Sequence, residues 1–127
     1  MGVYEKTELP MYVDGNVYLN GATPFKGEKN QLLIEGNPDI QVEEKGDGIY
    51  LSMQVDKSIA KMANETVDTE LLGEAMIPKQ RFENPDGSDI SIETDFFGKN
   101  RNMENPSPGP FRLVKKQSIQ YKVWPKE

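Results

Sequence analysis

Apolar and polar residues alternate most cleanly between Ile40 and Val55. Ile40 and Val42 flank Gln41, Lys45-Gly46-Asp47-Gly48 interrupts the run, and Ile49, Leu51, Met53 and Val55 then occupy every second position. Successive side chains of a strand point to opposite faces, so this pattern predicts a two-stranded antiparallel hairpin. Its aliphatic face is buried, and Ser52 and Gln54 lie on the other face. Burial of the four side chains of the second strand contributes roughly 1.5–3 kcal/mol each, which places that face at the centre of the core.

The same period continues more weakly elsewhere. Met11-Tyr12-Val13 and Asn16-Val17-Tyr18-Leu19 flank Asp14-Gly15, a dipeptide suited to a tight hairpin turn because both positions tolerate positive φ. Leu32-Leu33-Ile34 is long enough for one buried strand and is ended by Gly36-Asn37-Pro38. Ile90 and Ile92 alternate, as do Ile119, Tyr121 and Val123 before Trp124-Pro125. Only Asp56 to Asn64 has helical spacing, with Asp56 as the cap and Ile59, Met62 and Ala63 on one face. Two turns of helix are unstable without packing onto a sheet. Val67 to Ile77 is expected to be extended, with a bend at Gly73, and Asn84-Pro85-Asp86-Gly87-Ser88 to be a turn. Met1 to Pro10 has no period and is read as a lead-in. The sum is a single β-rich domain over residues 1–127: seven to nine short strands and one short helix, arranged as an all-β, antiparallel β-sandwich-like fold. The alternative is the terminal coils and cap of a right-handed parallel β-helix.

One stretch breaks the alternation. Thr94 to Phe111 opens with Asp95-Phe96-Phe97-Gly98 and closes with Asn105-Pro106-Ser107-Pro108-Gly109-Pro110-Phe111. Its prolines have no N–H to give to a ladder and cannot enter a helix interior, so the segment is a stiff loop. Phe96, Phe97 and Phe111 are large enough to anchor its two ends. The Arg101 guanidinium lies between these anchors, within reach of Asp95 or of backbone carbonyls in the loop.

Composition narrows the chemistry. The 127 residues contain no cysteine and no histidine, which removes thiol chemistry, disulfides, Ser-His triads and most zinc sites. With 21 acidic residues against 15 basic ones, the net charge is −6. Such a chain repels phosphate backbones, and Lys115-Lys116 is too small a basic footprint to attract nucleic acid. No apolar run is long enough to span a membrane, and no cofactor motif is present. The compartment is left open between cytoplasm and export.

The candidate site residues follow from what is left. Asn84-Pro85-Asp86-Gly87-Ser88-Asp89 carries oxygens at alternate positions as calcium loops do, but it lacks the EF-hand spacing and distal glutamate and is read as a turn. Paired carboxylates cleave glycosidic bonds, yet no spacing among Glu43, Glu44, Glu70, Glu93 and Asp95 singles out a pair. Catalytic and metal residues are therefore assigned to none. Apolar faces of sugar rings stack on exposed aromatics, so Tyr50, on the face opposite Leu51 and Met53, and Trp124 are candidate carbohydrate contacts, with Arg101 as a polar partner.

Five segments in order also resemble the C-terminal region of family-120 glycoside hydrolases, the β-xylosidase-like enzymes. They are LPMYVDGNVYLNGATPF from Leu9, EKGDGIYL from Glu44, TELLGEAMIP from Thr69, FENPDGSDISIETDFFGKNR from Phe82 and NPSPGPF from Asn105. The resemblance implies a bacterial enzyme acting on xylo-oligosaccharides, with a right-handed parallel β-helix and an associated β-sandwich region. It implies retaining hydrolysis by an aspartate nucleophile and a glutamate acid/base, both in a part of the family that precedes everything matched here. No residue of this chain inherits either role. The expected function is thus a non-catalytic C-terminal structural domain whose partner is the remainder of the parent hydrolase. A stand-alone carbohydrate-binding module is the alternative.

Overall fold

The structure, a computed structural model, describes residues 11–113 and 118–125. The lead-in Met1 to Pro10 and the Lys115-Lys116 pair lie outside the described residues. Among the described residues five strands, fewer than the seven to nine expected, form two sheets: β1 (Val17–Leu19) with β2 (Leu32–Ile34), and β3 (Gln41–Lys45), β4 (Gly48–Gln54) and β5 (Ser118–Trp124) in the order β3-β4-β5. The described residues also hold one short α-helix, α1 (Thr69–Leu72), and a 3-10 turn at Ile59–Lys61. The chain is all-β, as its alternation predicts. Among the described residues, no helix is long and apolar enough to cross a membrane.

The central hairpin forms in the expected register. Val42 pairs with Leu51, Glu44 with Ile49 and Lys45 with Gly48, which leaves Gly46-Asp47 as a two-residue turn. Glycine is required at 48, because a Cβ there would stand 2.1 Å from the Trp124 carbonyl oxygen. On the other edge of β4, Leu51 pairs with Tyr121 and Met53 with Ile119. Leu51, Met53, Ile119 and Tyr121 therefore share one face. That face meets the core, where Val55, Ile59 and Ile119 are buried together and Val17, Leu32, Ile34 and Leu113 pack around them.

The Asp14-Gly15 hairpin does not form. Gly15 does turn the chain with φ 68°, but Asp14 bridges Lys29 in parallel, and β1 then pairs with β2 in parallel, Val17 opposite Leu32. The reason lies in Glu28, which is buried at 7% exposure. One of its carboxylate oxygens accepts from Asn16 N at 3.2 Å and Asn16 Nδ2 at 2.8 Å, while the other accepts from the Tyr18 hydroxyl. These bonds hold the 28–34 segment alongside Asn16 to Leu19 in place of a hairpin return.

The helix expected at Asp56 to Asn64 is reduced to one 3-10 turn, Ile59–Lys61. Asp56 Oδ1 accepts from both the amide and the hydroxyl of Ser58, two residues on, and closes the turn that starts this segment, which ends where Met62 becomes extended at φ −65°, ψ 137°. Ile59 and Met62 are nevertheless buried as anchors. Within Val67 to Ile77, expected to be extended, lies α1 instead. Asp68 caps it by accepting from Leu71 N at 2.8 Å, and Gly73 ends it with φ 64°. Asn84 to Ser88 is a turn, closed by Asp86 Oδ1 on the Ser88 amide.

Candidate functional site

The Asp95 loop is built around one carboxylate. Asp95 is 9% exposed, and its Oδ1 accepts from Phe97 N and Lys99 N, each at 2.9 Å, while Oδ2 accepts from Arg112 N at 3.3 Å. Gly98 adopts φ 74° to let the chain curl around it. Burial alone raises the carboxyl's pKa, but the Lys99, Arg112 and Phe97 amides outweigh that effect and hold it below the ordinary aspartate value. Asp95 is thus an ionised structural strut. Glu28 follows the same logic: burial pushes its pKa up, but hydrogen bonds from Tyr18 and Asn16 bring it below the usual range. A glycosidic general acid needs the opposite shift.

Arg101 was expected to reach Asp95 or loop carbonyls, and it takes the carbonyls. Nε donates to Thr94 O at 3.0 Å, Nη1 to Ser107 O at 3.0 Å and Nη2 to Gly109 O at 2.8 Å. One planar fork therefore ties the start of the segment to its proline end. Phe96, Phe97 and Phe111 pack with ring centroids 5.1–5.9 Å apart. Phe111 and Phe97 then meet the Tyr121 ring of β5 at 4.8 Å and 5.3 Å. The aromatic plugs thereby fix the loop onto the three-stranded sheet.

Between this loop and β1 opens a cleft of about 550 Å³. Val17, Leu19, Ile59 and Leu71 form its floor and walls, Pro106 to Phe111 one side, and Tyr12, Asp14 and Glu65 contribute polar groups. Burial and the nearby Asp14 and Glu65 carboxylates raise the Tyr12 hydroxyl's pKa. Asn64 braces the rim: its amide donates to Asn105 Oδ1 at 2.9 Å and its Oδ1 accepts from Asn30.

The three candidate sugar contacts do not converge. Arg101 lines the cleft, but Tyr50 and Trp124 do not. Tyr50 lies on the outer face of β4 opposite Glu43 and Lys122, its hydroxyl donating to Asp47 Oδ2 at 2.7 Å and the Lys45 ammonium 4.7 Å from its ring centroid. Trp124 ends β5 opposite Ile49 and is 65% exposed. The residues sequence reasoning missed are Glu28, Asn16, Asp68 and Thr69. Thr69 Oγ1 donates to Phe82 O and accepts from Ile90 N, joining α1 to the loops beyond it. Asp68 was signalled by Leu71-Leu72 followed by Gly73, a start-and-stop pair for a short helix; Glu28 carried no local signal at all.

No protein-family model matches the chain, and no curated protein does. Among solved structures, the chain is similar to part of XylC, determined in complex with xylose. The TM-score is 0.84 and the identity 34%, over 98% of this chain. The match spans only 19% of the XylC chain. Sequence and fold thus relate this chain to one portion of a much longer, xylose-binding protein.

Proposed function

We propose that this chain is the non-catalytic, C-terminal accessory part of a β-xylosidase-like glycoside hydrolase acting on xylo-oligosaccharides. The observation that carries the reading is the match of nearly the whole chain to a fifth of XylC. The family-120 resemblance of the ordered segments supports it independently. So do the two buried carboxylates, Glu28 and Asp95, whose hydrogen bonds keep them ionised and committed to structure. The role is mechanical: the domain flanks the catalytic body and closes it against edge association. The test is an assay of the purified chain on an aryl xyloside and on xylobiose. No turnover above buffer is expected, and sustained release of xylose would overturn the reading.

The second reading, a carbohydrate-binding module, is favoured by one observation, the 65% exposure of Trp124. In this reading the exposed Trp124 ring stacks on a xylose unit at the sheet edge, and Arg101, committed to the loop carbonyls, takes no part. Trp124 fluorescence titrated with xylotriose decides it: saturation below millimolar sugar would establish the module, and a flat curve would remove it.

A further inference from the structure

Ile40 and Val42 carry the clearest conflict between sequence pattern and structure. Val42 pairs with Leu51, so the register puts Val42 on the face shared by Leu51, Met53, Ile119 and Tyr121, and Ile40 stands two residues before it, just ahead of β3. That face is the apolar side of the three-stranded sheet, and under β4 and β5 it meets the core and the Phe97–Phe111 cluster. Under β3 it does not. Ile40 is 56% exposed and Val42 is 68% exposed, although Gln41 and Glu43 occupy the other face as they do in strands buried on one side. The sheet overhangs its own core by the width of one strand. A strand patterned for burial and left uncovered is a surface whose cover belongs to another body.

We infer that the apolar face of β3, centred on Ile40 and Val42, is the seat of this domain on the remainder of a longer, XylC-like polypeptide, which presents aliphatic or aromatic side chains to it. The inference rests on the accessory reading proposed above and names the surface that reading requires. The occupant follows from proportion: 98% of this chain matches 19% of XylC, so four-fifths of such a protein lies outside the matched part and is the largest available source of cover. Glu44 shares the face beyond Val42 and sets one polar limit to the contact. The outer face, with Tyr50, Lys45 and Lys122 around Asp47, stays toward solvent.

The experiment compares the isolated chain with a chimera in which it replaces the matching fifth of XylC. Hydrogen exchange at amides 40–45 should slow at least tenfold in the chimera. Val42→Glu should lower the chimera's melting temperature by several degrees and leave that of the isolated chain within a degree of the parent. Equal exchange in both proteins would overturn the inference, as would a Val42→Glu effect of the same size in both, which would put Val42 in this chain's own core. A dimer of the isolated chain that Val42→Glu dissociates in sedimentation velocity would assign the face to a second copy and also overturn it. A chimera that never folds would bring down the accessory reading together with the seat. One that folds but leaves residues 40–45 unprotected brings down the seat alone.

Discussion

The three-stranded sheet and the loop-rich half from Asn64 to Leu113 meet the same requirement by different means. Every backbone N–H and C=O removed from water needs a partner. In β3-β4-β5 the partners are other backbone groups, arranged in a ladder by period-two alternation. Between residues 64 and 113 regular structure is limited to α1 and isolated bridges such as Glu74 with Arg81, Glu83 with Asp89 and Thr94 with Asn100. There scattered backbone bonds such as Ile92 N to Val67 O and Arg101 N to Glu93 O are joined by side chains that each serve several groups: Asp95 serves three amides, Arg101 three carbonyls, Thr69 an amide and a carbonyl, and Asp68 the start of α1. A ladder distributes its stability over many equivalent bonds. A loop scaffold of this type concentrates it in a few polar side chains, and its weak points are therefore single residues.

The contrast is broken most severely at Asp95. Asp95→Ala strands three amides at once and should destabilise the isolated chain by about 3–5 kcal/mol, given roughly 1–3 kcal/mol for each donor left without a partner. Urea unfolding followed by circular dichroism measures it. A loss below 1 kcal/mol would mean that the loop does not depend on its strut.

Ile119→Ala attacks the sheet's apolar face instead. Removing a nearly buried aliphatic side chain from the cluster with Val55 and Ile59 should cost about 2–4 kcal/mol. Equal sensitivity at Gln120, on the opposite and exposed face, would contradict the one-sided sheet.

The dependence on charge sharpens the comparison. The folded pKa of Asp95 is lowered, so its contribution is fully present above the unfolded aspartate value of about 4 and is lost as pH falls through the lower, folded value. Asp95→Asn should therefore be less stable than the parent at pH 7, by about 1–3 kcal/mol. The gap should narrow steadily below pH 4, as read from urea midpoints across a pH series. A gap that widens on acidification would reverse the sign and remove the ionised strut.

Smaller still is Arg101→Lys, expected to cost about 1–2 kcal/mol because an ammonium cannot reproduce a three-point fork to Thr94, Ser107 and Gly109. Thermal melting should show a fall of several degrees. Full retention of stability would mean that point charge, not planar geometry, holds the proline segment.

The two halves were unequally legible. Ile49, Leu51, Met53 and Val55 announced β4, and Ile119, Tyr121 and Val123 announced β5, because alternation is a local property that any single strand carries. The aromatic anchoring of the Asp95 loop was legible from residue type, as was the reach of Arg101 to carbonyls. The parallel partner of β1 was not. Asp14-Gly15 is an ordinary hairpin signal, and what overrides it is Glu28, buried a dozen residues away from the groups it binds. The helix expected at Asp56 to Asn64 stops after one 3-10 turn because the backbone becomes extended at Met62, a change that the helical spacing of Ile59, Met62 and Ala63 does not signal.

By itself the sequence determined a strand-built domain without thiol or imidazole chemistry, since composition and alternation act residue by residue. Only the tertiary structure decided which strands pair in parallel, which carboxylates become struts, and that the apolar side of β3 extends past the core. Those depend on contacts between residues far apart along the chain, where burial and hydrogen-bond satisfaction are settled jointly and not position by position.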